Sequence, residues 1–283
     1  MVTGAGGMLG TDLCTVLETD NEVVARDLAD FDIADHDATV SAISEAHPDV
    51  IVHAGAFTDV EACEDRRQEA FRANAVGSMN VAAGAREAGA YLVYMSTDYV
   101  FDGRKREPYV EFDEPRPLNF YGLTKLYGER YVRELTTQHL IVRTSWLFGP
   151  NGRNFIDTII AKASGGEKLK VVNDQRGCPT YTMDLARAVA EAITRRLEGV
   201  IHITNTGEAT WFDLAARTLE LAGIKADIEP VETDLYPVKA KRPAYSVLGS
   251  LVMESCGIPA LPPWVDGVKD HLRRKGLLAP AAG

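Results

Sequence analysis

A glycine run opens the chain: Gly4-Ala5-Gly6-Gly7-Met8-Leu9-Gly10 comes directly after Met1-Val2-Thr3. Glycines at 4, 7 and 10 let a strand turn tightly into a helix while backbone N–H groups approach a phosphate at the helix N-terminus. Such a turn needs its strand held between parallel neighbours, so it commits the next hundred or so residues to βαβ units. A plain glycine-rich surface turn, the competing reading, makes no demand on the rest of the chain.

The downstream sequence meets the demand. Leu9, Leu13, Val16 and Leu17 share one helical face, and Glu22 to Asp27 reads as a second strand. A helix through Val40 and Ile43 leads to a strand at Asp49–His53, and a mostly helical stretch from Val60 to Ala88 leads to another at Tyr91–Met95. Residues 103–120 are polar and proline-bearing, predicting a loop over the site; Leu123–Leu135 is helical and Leu140–Thr144 extended. The pattern predicts an α/β fold: a Rossmann-type, doubly wound parallel sheet with a smaller, mixed α/β substrate-binding portion.

The alternation breaks at Phe148-Gly149-Pro150-Asn151-Gly152, so the expected division is a dinucleotide-binding domain over 1–147, with 183–206 returning to it, and a mainly substrate-binding portion over 148–283. Helices are expected at about 154–163, 183–198 and 210–222, and 230–263 reads as irregular. Three residues before Gly4 are few for a buried parallel strand of about 5–6 residues. The expectation is a first strand extended by apolar residues upstream of Met1.

With 46% apolar and 25% charged residues the 283-residue chain is ordinary for a globular protein, and no segment has the length of a membrane span. A net charge of -11 argues against nucleic acid as a partner, and the absence of an export signal points to the cytosol. Cys14, Cys63, Cys178 and Cys256 are scattered without metal-type pairing and read as reduced packing residues. No metal site is assigned; Asp12 and Asp184 read as isolated, solvated helix acids.

Asp27 ends the second strand where a carboxylate can hold ribose hydroxyls and would repel a 2′-phosphate, a repulsion that Arg26 beside it can partly offset, so the cofactor is NADPH or NADH. Asp32-Ile33 can flank the adenine, and Ala54-Gly55-Ala56 is small enough for close passage of the cofactor; both also read as ordinary turn and packing sequence. Tyr121 and Lys125 stand one helical turn apart, so the ammonium can draw the phenol down from its usual value near 10. Thr97, ending an apolar stretch, can orient a carbonyl toward Tyr121. A packed Tyr and a solvated Lys at this spacing are a common accident on helices; the order of glycine run, Asp27, Thr97, Tyr121 and Lys125 is not.

Five stretches go further: Ser96-Thr97-Asp98-Tyr99-Val100-Phe101-Asp102-Gly103, Pro117 to Lys125, Arg143-Thr144-Ser145-Trp146-Leu147-Phe148-Gly149, Val172 to Thr180, and Arg242-Pro243-Ala244-Tyr245-Ser246. Through them the chain resembles, nearly end to end, the dTDP-4-dehydrorhamnose reductase family of the extended short-chain dehydrogenase/reductases. The resemblance implies reduction of the C4 keto group of dTDP-4-dehydro-L-rhamnose to dTDP-L-rhamnose, with Thr97, Tyr121 and Lys125 as the catalytic triad, Tyr121 protonating the developing alkoxide and Lys125 holding the nicotinamide ribose. It further implies that Gly4, Gly7, Met8, Leu9, Gly10, Asp27, Asp32, Ile33, Ala54, Gly55 and Ala56 line the cofactor. Thr97, Asp98 and Trp146 would meet the sugar, an indole face suiting the apolar face of a deoxysugar. Arg242 and Arg143 are candidates for the diphosphate, or else structural ion pairs. Some family members are described as magnesium-linked homodimers, but no acidic cluster here can be assigned to the metal.

Two rival readings stay open. Related dehydratases follow the threonine with Asp-Glu, whereas Thr97 is followed by Asp98-Tyr99; epimerases recycle their cofactor, so stoichiometric NADH consumption separates them. The family also includes the regulatory beta subunit of methionine adenosyltransferase, a reading that retention of the triad disfavours.

Overall fold

The segment Tyr91–Thr97 is buried at every position, which fits only a strand inside a sheet covered on both faces. The computed structural model, which describes residues 1–236 and 238–279, places it there. The sheet comprises β1 (Val2–Thr3), β2 (Ala25–Arg26), β3 (Val50–His53), β4 (Tyr91–Thr97), β5 (His139–Thr144) and a last strand at Gly199–His202. Their order across the sheet is β2-β1-β3-β4-β5-(199–202), and every pairing is parallel.

Register explains the two cores. Val2, Val52, Val93 and Leu140 are successive cross-strand partners, and they belong to one cluster with Leu13 and Leu17 of helix α1 (Met8–Leu17). Ile51, Leu92 and Ile141, each one residue earlier or later, point to the opposite face. There they meet Ile43 of α2 (His36–Ala46) and Val81 and Ala85 from the helix at Gly77–Ala88. The sheet is therefore covered on both faces, and each buried Leu, Ile or Val contributes roughly 1.5–3 kcal/mol.

Between β3 and β4 the chain forms α3 (Val60–Asp65), α4 (Arg67–Phe71), one π turn (Arg72–Val76) and α5 (Gly77–Ala88). Helix α6 (Phe120–Leu135) joins β4 to β5, its first turn closed by Asn119, whose Oδ1 accepts from Gly122 N–H at 2.8 Å. After β5 the chain leaves the sheet for α7 (Phe155–Ser164), returns with α8 (Thr182–Thr194) and the Gly199–His202 strand, and leaves again for α9 (Trp211–Leu221). Leu185 and Val189 of α8 join the α1 core. Ile159, Leu169, Val171, Ala215 and Leu219 form a separate core between α7, α9 and a parallel pair of strands, Leu169–Val172 with Ile228–Val231.

Three expectations change. The second strand is confined to Ala25–Arg26, because only these residues find partners on β1. The 103–120 segment packs away from the cleft: Tyr109 stacks on Phe101 with ring centres 4.3 Å apart and exchanges backbone hydrogen bonds with Val247 and Gly249. Asp12 is buried rather than solvated, accepting from Asn151 Nδ2 and Thr182 Oγ1, and so ties α1 to α8 and to the 149–154 turn. Asp184 is half-buried and accepts from Asn205 Nδ2 at 2.8 Å.

Candidate active site

A cleft of about 820 Å³ opens at the carboxyl ends of the strands, beside the point between β1 and β3 where the strand order reverses and ligands of such sheets bind. Gly4, Gly7, Met8, Leu9, Gly10, Asp27, Asp32, Ile33, Ala54, Gly55, Ala56, Thr97, Asp98, Tyr121, Lys125 and Trp146 all line it. Arg242 does not.

At the glycine end, Gly4 has φ +69°, and a Cβ there would lie 2.6 Å from Gly55 N, so two walls of the cleft meet backbone to backbone. Gly7 precedes α1 without a side-chain cap, leaving the first-turn N–H groups of that helix to the cleft. Asp27 braces this turn: Oδ2 accepts from Gly6 N–H at 2.6 Å and Oδ1 from Leu28 N–H at 2.7 Å. Each oxygen keeps a further lone pair for a hydroxyl. Asp32 is exposed, with Oδ1 accepting from Ala34 N–H at 2.9 Å and Oδ2 lying 3.8 Å from Arg72. Arg26 lines the same end, its Nη1 donating to the Ala25 carbonyl at 3.2 Å. These features fit a dinucleotide: a narrow backbone-lined turn, helix N–H groups for phosphate, and a carboxylate for ribose.

The opposite end carries the reactive groups. Thr97 Oγ1 donates to Asp98 Oδ1 at 3.1 Å and accepts from Tyr99 N–H at 3.2 Å. Asp98 is 2% exposed, and its Oδ2 has no hydrogen-bond partner among the described residues; burial pushes this carboxyl up to about 7. Tyr121 meets Tyr99 edge to face, ring centres 5.9 Å apart. Lys125 is 3% exposed, its ammonium 4.1 Å from the centre of the Tyr94 ring.

The Tyr121 phenol is shifted up, against the direction expected from Lys125. Burial first and Asp98 second hold the Tyr121 phenol well above its ordinary value. Burial pushes Lys125 down to about 7, opposed by Glu129. A phenol kept protonated is the form a proton donor requires.

Trp146 holds a left-handed backbone, φ +47°, a conformation that costs a bulky residue about 1–3 kcal/mol and clusters at functional sites. Its ring is stacked on Trp211 with centres 3.6 Å apart and planes within 5°. Phe155 packs on Trp211 at 4.8 Å, and Trp211 Nε1 donates to Gln175 Oε1 at 3.2 Å. Trp211 and Phe155 both line the cleft, although no local sequence pattern nominates them.

Neither candidate arginine opens into the cleft. Arg242 donates through Nη2 to Glu61 Oε1 at 2.9 Å, and its buried Nε has no partner among the described residues; it neighbours the cleft residue Tyr99. Arg143 is fully buried in a two-pronged pair with Glu129.

Residues 1–276 match the RmlD substrate binding domain family. The chain belongs to this family. The dTDP-4-keto-6-deoxy-D-glucose reductase of Streptomyces niveus is 39% identical over 267 residues, 93% of each chain. The dTDP-4-dehydrorhamnose reductase of Clostridium acetobutylicum has the same fold with a TM-score of 0.95 at 40% identity, covering 97% of this chain and 98% of that one. The Bacillus anthracis dTDP-4-dehydrorhamnose reductase, solved with NADP, gives 0.94 at 37% identity, covering 96% and 98%.

Proposed function

We propose that this RmlD family member reduces the C4 ketone of dTDP-4-dehydro-L-rhamnose to dTDP-L-rhamnose, using NADPH or NADH. The observation that carries the reading is one continuous cleft with the glycine turn and Asp27 at one end and Thr97, Tyr121, Lys125 and Trp146 at the other. The glycine turn, Asp27, Asp32, Ile33 and Ala54–Ala56 would hold the dinucleotide, whose reduced nicotinamide supplies a hydride when bound.

The remaining work falls to the protein. Thr97 Oγ1 holds the ketone oxygen, and the Tyr121 hydroxyl donates the proton that oxygen takes up. Lys125 holds a ribose hydroxyl and, as an ammonium, stabilises the phenolate left on Tyr121. Trp146, stacked on Trp211, lines the sugar end of the cleft.

A related 4-keto-6-deoxysugar is the second reading, favoured by the name of the Streptomyces niveus relative. The test is a coupled assay from dTDP-glucose with a 4,6-dehydratase, with and without a 3,5-epimerase, following nicotinamide absorbance. Oxidation of one cofactor per sugar only when the epimerase is present supports the first reading; equal rates without it support the second. No stoichiometric oxidation in either arm would refute both and leave an epimerase or a regulatory subunit.

A further inference from the structure

Beneath the cleft lies a buried ionic cluster that the proposed chemistry does not use. Glu129 follows Lys125 by one turn of α6 and is 1% exposed, as is Arg143 of β5. Arg143 Nε and Nη2 donate to the two Glu129 oxygens at 2.9 and 2.8 Å, and Ser96 Oγ donates to Oε1 at 2.6 Å. Arg143 Nη1 stands 3.4 Å from His202 Nε2, and the guanidinium lies 5.1 Å from the centre of the Phe101 ring. Replacing a buried ion pair with apolar groups is often neutral or stabilising, so stability alone is a weak reason for this one. Its position is a better reason: Ser96 adjoins Thr97, and Glu129 shares a helix face with Tyr121 and Lys125.

We propose that Glu129 is a positioning residue for the reaction: its carboxylate keeps the Lys125 ammonium charged beside Tyr121, and Arg143 and Ser96 keep that carboxylate ionised and in place. The proposal rests on the ribose-holding and phenolate-stabilising role of Lys125. Lys125 is faced by Tyr94 of β4 and His53 of β3, and Tyr121 and Glu129 stand one turn before and one turn after it on α6. Burial, then Lys125, pushes His53 down to about 3, so His53 is neutral at pH 7. Around Glu129 stand Ser96, Arg143 and the more exposed Arg133, 3.8 Å away. Burial, then Arg143, pushes His202 down to about 4, so it adds no charge behind Arg143 at pH 7, while Glu111 neighbours His202. Glu129 itself stays below its ordinary value: burial pushes it up, and the hydrogen bond and charge of Arg143, with Ser96, outweigh burial.

The test titrates Lys125 directly. In full-length protein carrying ¹³C-lysine, the Lys125 Cε resonance is identified by its loss in Lys125→Met and followed against pH without cofactor. Kcat is followed against pH in parallel. Glu129→Gln should lower the Lys125 midpoint by about one pH unit or more, since it removes an attractive charge and leaves Arg143 uncompensated. The alkaline limb of the kcat profile should move down with it. Glu129→Gln/Arg143→Met removes both charges and should fall between wild type and Glu129→Gln. If Glu129→Gln does not fold, a double variant still below wild type supports the proposal. An unchanged midpoint in Glu129→Gln, or in the double variant where only that folds, overturns it. A shifted midpoint with an unmoved kcat profile overturns instead the catalytic role given to Lys125.

Discussion

Substituting Gly4 by alanine tests whether backbone contact between the glycine turn and the end of β3 builds the cleft. Alanine at φ +69° costs about 1–2 kcal/mol for the left-handed conformation alone. The new Cβ would also stand 2.6 Å from Gly55 N, 2.7 Å from Gly55 Cα and 2.9 Å from Ala54 C. These are backbone atoms that cannot rotate aside, so the two walls must separate, at roughly the 1–3 kcal/mol typical of overpacking. The sum, about 2–5 kcal/mol, corresponds to a fall in melting temperature of roughly 5–15 °C for a chain of this size. Gly89→Ala is the control: φ is +66°, yet among the described residues nothing beyond its own chain neighbours lies within 4 Å of the added Cβ, so it carries the conformational cost alone. Melting curves and NADPH fluorescence titrations on both variants decide the matter. Gly4→Ala should melt well below Gly89→Ala and bind NADPH at least about tenfold more weakly, because the displaced atoms are walls of the cleft. Equal melting temperatures with wild-type NADPH affinity would refute the reasoning.

Tyr121→Phe should lower kcat by about two to four orders of magnitude, the usual worth of a positioned acid, with NADPH affinity nearly intact; single-turnover rates check this. Lys125→Met should abolish most turnover yet raise the melting temperature of the cofactor-free protein at neutral pH. The unfolded chain keeps the Lys125 proton up to about 10.5 and the folded one only up to about 7. The penalty for burying the ammonium is therefore complete below pH 7 and fades as pH rises to about 10.5, so the gain, on the order of a few kcal/mol, should shrink across that window. Melting curves from pH 6 to 10 read it. Trp211→Ala should raise KM for the sugar nucleotide roughly 2- to 12-fold, the equivalent of one aromatic stack of about 0.5–1.5 kcal/mol, while leaving NADPH affinity unchanged.

How legible each feature is in the sequence depends on the range over which its signal acts. The glycine turn, the buried strands and the Tyr121–Lys125 spacing are local patterns of backbone geometry and periodicity, and every residue they nominate for the cofactor end lines the cleft. Trp211 is invisible because its stacking partner Trp146 lies on another element, and nothing in Ala209-Thr210-Trp211 separates a cleft aromatic from an ordinary core one. Arg143 stays open in the sequence between anion ligand and structural ion pair because its cation is local information, whereas Glu129, which consumes it, approaches only through the packing of α6 on the sheet. Asp12 misleads for the same reason: an acid on an amphipathic helix looks solvated until Asn151 and Thr182 close over it.

The two ends of the cleft are built on opposite electrostatic terms. At the glycine end both Asp27 oxygens already accept backbone N–H bonds, so the turn is braced before any ligand arrives. At the other end Asp98 is pushed up to about 7 and Lys125 down to about 7, in both cases by burial. Below pH 7 that end therefore holds a neutral carboxyl and an ammonium; above it, a carboxylate and a neutral amine. As pH rises through the neutral range the local charge runs from positive toward negative, with direct consequences for a diphosphate-bearing ligand. Burying both groups lowers stability wherever they are charged, and the two-sided apolar sheet beneath supplies the surplus that tolerates it. The stability removed here is removed beside Tyr121, the group that gives up the proton in the proposed reaction, which is where perturbed titrations cluster in active sites.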